Sequence, residues 1–356
     1  MWIRERVLAA LTRDEVDYIP WVVKSNHLPR GYLERVLRNK GLGISHHERV
    51  FRTYTPDVIC EYKYVGNFLV RTFITPIGNV SERIRINLPS EGGERSTQWK
   101  VESLIKSPGD YKVLEFIIEN TKIKSEYEDF KLADESIGQD GIVYTSLGYT
   151  PLMELIVNYM GFRTFALEIK RRQNKVESLM ELIHEKKLEA RRIVAKSPAK
   201  VVLLGDNIDE VIVDPRLFKK YCIPYYREYI EILHEHDKIV GSHMDGRLKR
   251  LKNLIAETGL DFIHGFTPPP YGNLTLREAR QCWKDMAIWM NIPETVFFYD
   301  SERIMKFIRD ILKEGAPGDG LILGITETVP PRRRLVGYKA ITEAILRYGK
   351  YPIRIP

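Results

Sequence analysis

The sequence is poor in cysteine, with three residues among 356, namely Cys60, Cys222 and Cys282. They lie far apart in the chain and do not have the spacing of a metal-binding motif. A disulfide framework and a cysteine-based zinc site are therefore not expected. A reducing compartment suits such a chain, so the sequence predicts a cytoplasmic protein.

Long apolar segments and nucleotide-binding motifs are also missing. The start of the chain, Met1–Arg6, alternates charged and apolar residues, and no later stretch is long enough to span a bilayer. The sequence contains neither a Gly-x-Gly-x-x-Gly motif nor a P-loop. The formal charge of +7 is small for a chain of this length. Neither a membrane nor nucleic acid is an expected partner. The run Arg332-Arg333-Arg334 could steer an anionic substrate or form the solvated start of a helix.

The sequence instead repeats a short apolar strand followed by an amphipathic helix. Short runs rich in Val, Ile and Leu are typical of parallel strands covered on both faces. The predicted strands are Ile19–Lys24, Asp57–Tyr62, Ile142–Ser146, Val201–Gly205, Lys238–His243, Asp261–Gly265, Met286–Met290 and Leu321–Gly324. These strand–helix units predict one α/β domain over residues 1–356, folded as a (β/α)8 TIM-type barrel.

One segment interrupts this alternation. Phe68–Thr75 and Val80–Asn87 flank the turn residues Pro76-Ile77-Gly78-Asn79. This pattern predicts a β-hairpin inserted after the second strand. Helices are expected to follow it around Asp110–Asn120 and Ser125–Ile137.

Polar residues collect at the ends of the predicted strands, where the βα-loops of a barrel form its active site. From these positions we select Asp206, Glu61 and His27 as candidate catalytic residues. The candidate substrate-binding residues are Asn26, Asn207, His264, Asn291 and Tyr144. A histidine at such a position can also be a hydrogen-bonded structural residue, and this alternative applies to His27 and His264. His46 and His47 are expected on the exposed surface of a helix.

His243 and Asp245 form the most specific pair, because residues two apart at a strand end can point the same way. With Glu327 they would supply one nitrogen and two carboxylate ligands, a set that suits a catalytic divalent metal. A hydrogen-bonded pair without metal, or a structural pair, would use the same residues. Asp206 could likewise bind metal, act as a general base or hold a substrate amine, unless Asn207 and Asp209 simply form a turn and a helix cap.

At these residues the chain resembles the uroporphyrinogen decarboxylase-like superfamily, which also contains cobalamin-dependent methyltransferases. The resemblance implies a (β/α)8 barrel. The segments that carry it are Arg4–Leu11, Tyr18-Ile19-Pro20, Thr75-Pro76-Ile77-Gly78, Gly205-Asp206-Asn207, His243-Met244-Asp245-Gly246, Phe266-Thr267-Pro268-Pro269-Pro270, Leu323-Gly324 and Tyr348–Pro352.

The chain departs from the decarboxylases of this superfamily, which carry Arg-Gln-Ala-Gly-Arg after the first strand to hold substrate carboxylates. Here that place reads Lys24–Arg30. Glu61 stands where those enzymes have an aspartate, and Glu327 follows Leu323-Gly324 where they have a histidine. The missing arginine pair removes the expected clamp for a polycarboxylated tetrapyrrole.

The methyltransferase branch binds zinc through His-x-Cys after the fifth strand and a cysteine near the eighth. The corresponding residues here are His243, Asp245 and Glu327. The resemblance therefore implies a metal-dependent methyltransferase, with zinc as the metal and with a corrinoid supplied by a partner protein. Its substrate would be a small-molecule methyl donor or acceptor. The alternatives are decarboxylation of a tetrapyrrole or a smaller carboxylated substrate, and a non-catalytic corrinoid- or substrate-binding protein.

Overall fold

A computed structural model describes residues 1–88 and 97–355 of the chain. Its strands, in chain order, are β1 Trp21–Lys24, β2 Leu42–His47, β3 Phe51–Tyr54, β4 Ile59–Val65, β5 Phe68–Thr75, β6 Gly78–Leu88, β7 Thr97–Glu102, β8 Lys122–Ser125, β9 Gly141–Gly148, β10 Val201–Leu204, β11 Ile239–His243, β12 Phe262–Phe266, β13 Ala287–Asn291 and β14 Leu321–Gly324.

The α-helices are α1 Ile3–Leu11, α2 Tyr32–Asn39, α3 Asp110–Asn120, α4 Glu128–Ile137, α5 Pro151–Glu154, α6 Phe162–Arg171, α7 Gln173–Ala195, α8 Pro215–Tyr221, α9 Ile223–His234, α10 Lys252–Ala256, α11 Leu276–Cys282, α12 Ser301–Gly315 and α13 Pro331–Tyr348. Three 3₁₀ turns and one π-helical turn connect these elements, at Ser25–His27, Gly138–Asp140, Glu294–Phe298 and Leu155–Met160. Within the described ranges, no helix is both long and apolar enough to cross a bilayer.

Eight parallel strands close into a barrel in the order β1-β14-β13-β12-β11-β10-β9-β2. The predicted (β/α)8 barrel is confirmed, and seven of its strands coincide with predicted ones. The prediction for the second strand is wrong, because Asp57–Tyr62 belongs to a separate antiparallel sheet and the second barrel strand is β2. The helical assignment of His46 and His47 is wrong for the same reason, since both end β2.

The second barrel strand was hard to recognise because it contains few apolar residues. Its sequence, Leu-Gly-Ile-Ser-His-His, has a glycine at the second position. A Cβ atom at Gly43 would lie 2.4 Å from Ile3 Cγ2 and 2.9 Å from Val22 Cγ1. The close approach of α1 to the barrel therefore requires glycine here, where a typical strand would carry a branched residue.

Between β2 and β9 the chain forms two antiparallel sheets. One pairs β3 with β8, and the other has the order β4-β5-β6-β7. In the second sheet Thr75 pairs with Gly78, so β5 and β6 lie on either side of the turn at Pro76-Ile77. Val80 is 3% exposed and joins the main core, which fixes one end of this inserted sheet against the barrel's helices.

The barrel interior is filled by apolar side chains. Alternate residues of each strand point inward, and large aromatic and branched residues there exclude water, which stabilises the fold by about 2 kcal/mol per fully buried side chain. The inward cluster contains Val22, Ile142, Tyr144, Val201, Leu203, Ile239, Phe262, Ala287, Trp289 and Ile322. Helix α1 adds Val7, Ala10 and Leu11 to this cluster. The N-terminal end of the barrel is thus plugged, and the C-terminal end remains for a site.

Candidate active site

Strand alternation brings a row of polar side chains to the C-terminal mouth of the barrel. Lys24 lies two residues after Val22, His264 two after Phe262 and Asn291 two after Trp289, so each continues an inward-facing row. His47 is paired with the inward residue Tyr144. We call the following six residues the mouth cluster: Lys24, His47, His243, His264, Asn291 and Glu327.

Two histidines and one aspartate form a connected group on β11 and β12. The Nδ1 atoms of His243 and His264 lie 2.9 Å apart, and His243 Nε2 lies 3.5 Å from Asp245 Oδ2. Burial lowers the pKa of His264 well below its usual value, and the nearby His243 and Lys24 lower it further. Burial opposes ionisation of Asp245, but the hydrogen bond and charge of His243 prevail and lower its pKa. His264 is therefore neutral, and Asp245 is the charged end of the group.

A glycine allows His243 to lie against the neighbouring strand. Gly265 has a φ of +79°, and a Cβ atom there would come within 2.5 Å of His243 Cε1. The pairing of β12 with β13 also shifts register between His264 and Phe266. This irregularity redirects the strand end next to the two imidazoles, as bulges near active sites commonly do.

Glu327 follows β14, and one of its carboxyl oxygens is held by a hydrogen bond. Asn291 Nδ2 donates to Glu327 Oε1 at 2.8 Å, and Thr326 N donates to Asn291 Oδ1 at 2.9 Å. Glu327 Oε2 is buried without a hydrogen-bond partner in the described part of the chain. Burial raises the pKa of Glu327, against the lowering effect of the Asn291 hydrogen bond. This carboxyl group therefore keeps its proton to a higher pH than an exposed glutamate does.

Lys24 is a cation that interacts electrostatically with this carboxyl group. Its Nζ donates to Thr326 O at 2.6 Å. Burial lowers the pKa of Lys24, while the charge of Glu327 raises it. The two side chains come from adjacent strand ends, β1 and β14, so the barrel order itself brings them together.

An aromatic wall lies below the polar groups. The ring of Tyr144 lies 5.6 Å from His47, 6.2 Å from His264 and 6.2 Å from Trp289, measured between centroids. Burial raises the pKa of Tyr144 to about 12 and lowers that of His47. Both side chains are therefore uncharged near neutral pH. A cavity of about 440 Å³ opens beside them, lined by His47, Ser146, Gly148, Arg49, Phe51, Arg52 and Thr53.

Asp206 lies outside the mouth cluster, in what we call the rear network of Thr150, Asp206, Tyr226 and Ser242. Val201 and Leu203 point inward, so alternation turns Asp206 towards the helices. It is fully buried, its Oδ1 accepts from Thr150 N at 2.5 Å, and the hydroxyl of Tyr226 on α9 donates to its Oδ2. Tyr226 Oη also lies 3.0 Å from Ser242 Oγ. Burial raises the pKa of Asp206 to about 6.

The family model described as uroporphyrinogen decarboxylase matches residues 105–348, which include most of these groups. The chain belongs to the uroporphyrinogen decarboxylase family. The resemblance expected from the sequence is thereby confirmed.

Two curated uroporphyrinogen decarboxylases are similar to part of the chain, one from Geobacter sp. (strain M21) and one from Citrifermentans bemidjiense. Each is 26% identical over 162 residues, which cover 44% of this chain and 46% of the relative. The matched segment therefore spans less than half the length of either relative. A solved structure of a methyltransferase from Methanosarcina mazei has the same fold, with a TM-score of 0.60, 13% identity and coverage of 98% of this chain and 99% of the other.

Within this family fold, four predicted site residues lie together in the mouth cluster, namely His243, His264, Asn291 and Glu327. Tyr144 and Asp245 contact that cluster. Glu61 does not, because it lies exposed on β4 of the inserted sheet, and its predicted position at the end of a barrel strand is wrong. The error follows from taking Asp57–Tyr62 as a barrel strand.

Three other predicted residues lie at the rim or behind it. Asn207 is exposed, has a φ of +45° and donates from Nδ2 to Tyr149 Oη at 3.3 Å. Asn26 is exposed in the turn after β1, beside a surface depression that also contains His46. His27 is buried in the same turn, and its carbonyl accepts from Tyr338 Oη on α13 at 3.2 Å.

Two mouth residues were not selected from the sequence, His47 and Lys24. Lys24 stood at a predicted strand end, and its even spacing from Val22 was the signal that could have identified it. His47 could have been found only by recognising Leu42–His47 as a strand, since Ser-His-His after a short apolar run resembles the other strand ends.

Proposed function

We propose that the chain is an enzyme that transfers a methyl group from a small-molecule donor to a corrinoid carried by a partner protein. The observation that carries the proposal is the carboxyl group of Glu327, which has a raised pKa and a buried, unpartnered Oε2 within the described residues. The likeness of the fold to the methyltransferase from Methanosarcina mazei and the membership of the family add support.

A methyl donor with oxygen, nitrogen or sulfur as its leaving atom needs a proton on that atom as its bond to carbon breaks. In the proposal Glu327 supplies this proton, as a general acid whose pKa is raised for the task. Asn291 holds the other oxygen, so the acid stays in one orientation. The neutral His264 and the His243–Asp245 pair bind and orient the donor. The bond from the methyl carbon to the leaving atom breaks as the carbon–cobalt bond forms, and the proton from Glu327 lets the demethylated part leave as neutral water, phenol, amine or thiol.

The reduced corrinoid of the partner would supply the cobalt nucleophile that accepts the methyl group. The partner protein would dock on the C-terminal face of the barrel, where loops after several strands expose large apolar side chains. Val211 is 59% exposed after β10, Tyr271 is 51% exposed after β12, and Phe298 and Tyr299 are each 45% exposed after β13.

The proposal is tested by incubating the protein with chemically reduced cobalamin and a panel of methanol, methylamines, methoxyarenes and methyl thioethers. Methylcobalamin formation, followed by its visible spectrum, is the expected result for at least one donor class. The reverse reaction, demethylation of methylcobalamin by the corresponding acceptors, should show the same preference. Absence of methyl exchange in both directions across the panel would contradict the proposal.

The predicted zinc ion is not part of this proposal. Within residues 1–88 and 97–355, no three His, Cys, Asp or Glu side chains are grouped so that they could hold a metal. His243 and Asp245 approach each other, while Glu327 Oε1 accepts a hydrogen bond from Asn291 and lies in no such group with them. The residues as placed therefore do not fit the ion. Metal analysis of the wild type, His243→Ala and Glu327→Ala tests the prediction directly, because a bound zinc should be lost in both variants.

Decarboxylation of a small carboxylated substrate is the second candidate. Lys24 and the 440 Å³ cavity beside His47, with Arg49 and Arg52 in its lining, place cations where a substrate carboxylate could bind. Arg52 is already paired with Glu126, which leaves Arg49 and Lys24 as the main anion-binding groups. Carbon dioxide release from porphyrinogens or smaller carboxylic acids, without methyl exchange, would favour this candidate over methyl transfer.

A further inference from the structure

The first strand of the inserted sheet has an unprotected edge. Within the described ranges β4 pairs only with β5, at the opposite side of the sheet from β7. Its apolar side chains are unusually exposed, at 64% for Ile59, 61% for Tyr62 and 70% for Tyr64. A long edge strand that displays apolar groups is a template for pairing with another strand.

The backbone of β4 fixes which residues could form such a pair. Val65 and Phe68 close a two-residue loop at Gly66-Asn67. A pair that closes such a loop exchanges both of its hydrogen bonds, and along an antiparallel pair these bonded positions alternate. Val65 and every second residue before it therefore bond to β5. Cys60, Tyr62 and Tyr64 are left with their N–H and C=O groups directed to the free edge.

The sequence of β4 is complementary to itself in one antiparallel register. If Tyr62 faces the partner's Tyr62, then Cys60 faces the partner's Tyr64 and Ile59 faces the partner's Val65. In the same register Glu61 faces the partner's Lys63, and Lys63 faces the partner's Glu61. All the free backbone groups would then be opposite one another, and two ion pairs would form by symmetry.

The two charged residues that this register would pair, Glu61 and Lys63, are available for new contacts. Glu61 and Lys63 are both exposed, and neither has an ion pair in the part of the chain that the structure describes. Shifting the register by two residues in either direction would leave Glu61 opposite an uncharged residue or another like-charged copy of itself.

We propose that two copies of the chain associate through β4, antiparallel about a two-fold axis at Tyr62, and so join their inserted sheets into one eight-stranded sheet. This interface lies on the inserted sheet and uses none of the residues of the mouth cluster. It does not depend on which reaction the mouth catalyses.

Charge exchange at two positions tests the proposal in the full-length protein. The wild type should be a dimer by sedimentation velocity and light scattering, and should dissociate on dilution. Glu61→Lys and Lys63→Glu each place two like-charged pairs in the interface, so each should weaken the dimer about tenfold or more. The double variant Glu61→Lys/Lys63→Glu restores both pairs with reversed polarity and should recover the wild-type dissociation constant.

Lys306→Glu is the matched control for Lys63→Glu, because it makes the same change in net charge at an exposed position on α12. It should leave the dissociation constant unchanged. A wild type that stays monomeric at all concentrations would overturn the proposal. So would a dimer that is indifferent to both single variants, or a double variant that is no tighter than either of them. Circular dichroism of each variant confirms that the exposed substitutions leave the fold intact.

Discussion

The mouth cluster and the rear network each contain a carboxyl group whose pKa is raised by burial. The two groups differ in how many of their oxygens are hydrogen-bonded. Both oxygens of Asp206 are hydrogen-bonded, to Thr150 and Tyr226, and the side chain is fully buried. Glu327 has one oxygen bonded to Asn291 and one without a partner among the described residues. A raised pKa alone therefore does not distinguish a catalytic carboxyl group from a structural one. The oxygen of Glu327 that has no partner among the described residues is the feature that makes this carboxyl group the candidate acid of the proposed function.

The two carboxyl groups differ in position because Asp206 lies an odd number of residues after an inward-facing residue, whereas Asn291, which holds Glu327, lies an even number after one. On β10, Leu203 points into the barrel and Asp206 lies three residues later, so its side chain turns towards α9. On β13, Asn291 lies two residues after the inward Trp289 and reaches the mouth, where it holds Glu327. Alternation thus separates the two carboxyl groups although both follow barrel strands.

The largest effect is expected from Glu327→Gln. This substitution removes the acidic proton of the Glu327 carboxyl group and keeps the shape of the side chain. The amide oxygen can still accept from Asn291, so unfolding stability should stay within about 1 kcal/mol of the wild type. Loss of a general acid should lower kcat for methyl transfer by about 10²- to 10⁴-fold. Both quantities are measured on the same preparation, by steady-state turnover and by denaturant unfolding. Full activity in this variant would move Glu327 out of the proposed role.

Asp206→Ala should reverse that pattern, with its main effect on stability. The variant leaves Tyr226 Oη and Thr150 N buried without their acceptor, at a cost of about 3 kcal/mol. Asp206→Asn is the matched control, because its amide can still accept from Thr150 and donate to Tyr226. Urea unfolding should show a large loss for alanine and a small one for asparagine. Equal losses in the two variants would show that the hydrogen bonds of the rear network are not what stabilises the fold.

The barrel was predictable from the sequence because most of its strands are short runs of Val, Ile and Leu between well-marked helices. The second strand was not, because close packing of Ile3 against Gly43 replaced a branched residue with glycine. The helical assignment of His46 and His47, at the polar end of that strand, has the same cause. An error in one strand thus removed His47 from the candidate site and added Glu61 to it.

The site was predictable as a set of strand ends, but the orientation of each side chain was not. The structure places four of the selected residues, His243, His264, Asn291 and Glu327, at or near the ends of four consecutive barrel strands. Whether His243, Asp245 and Glu327 bind a metal or a substrate depends on which oxygen or nitrogen of each side chain is already in a contact. The Asn291–Glu327 and His243–His264 contacts bear on this question, and they depend on β-strand register and on the irregularity at Gly265.

The pH dependence of stability is the smallest of the expected effects. Comparison of the wild type with Asp206→Asn separates the contribution of the rear network from that of the mouth cluster. Burial raises the pKa of Asp206 from 3.8 in an unperturbed carboxyl group to about 6 in the folded chain. The folded state therefore binds the proton more tightly than the unfolded state, so this group adds stability as the pH falls from about 7 towards 4. That gain is lost again as the pH rises through about 6, and it amounts to roughly 2 kcal/mol. Asp206→Asn cannot titrate, so the difference in unfolding free energy between wild type and variant should change with pH in this window. A constant difference would mean that Asp206 stays ionised when buried, with Tyr226 and Thr150 stabilising its charge.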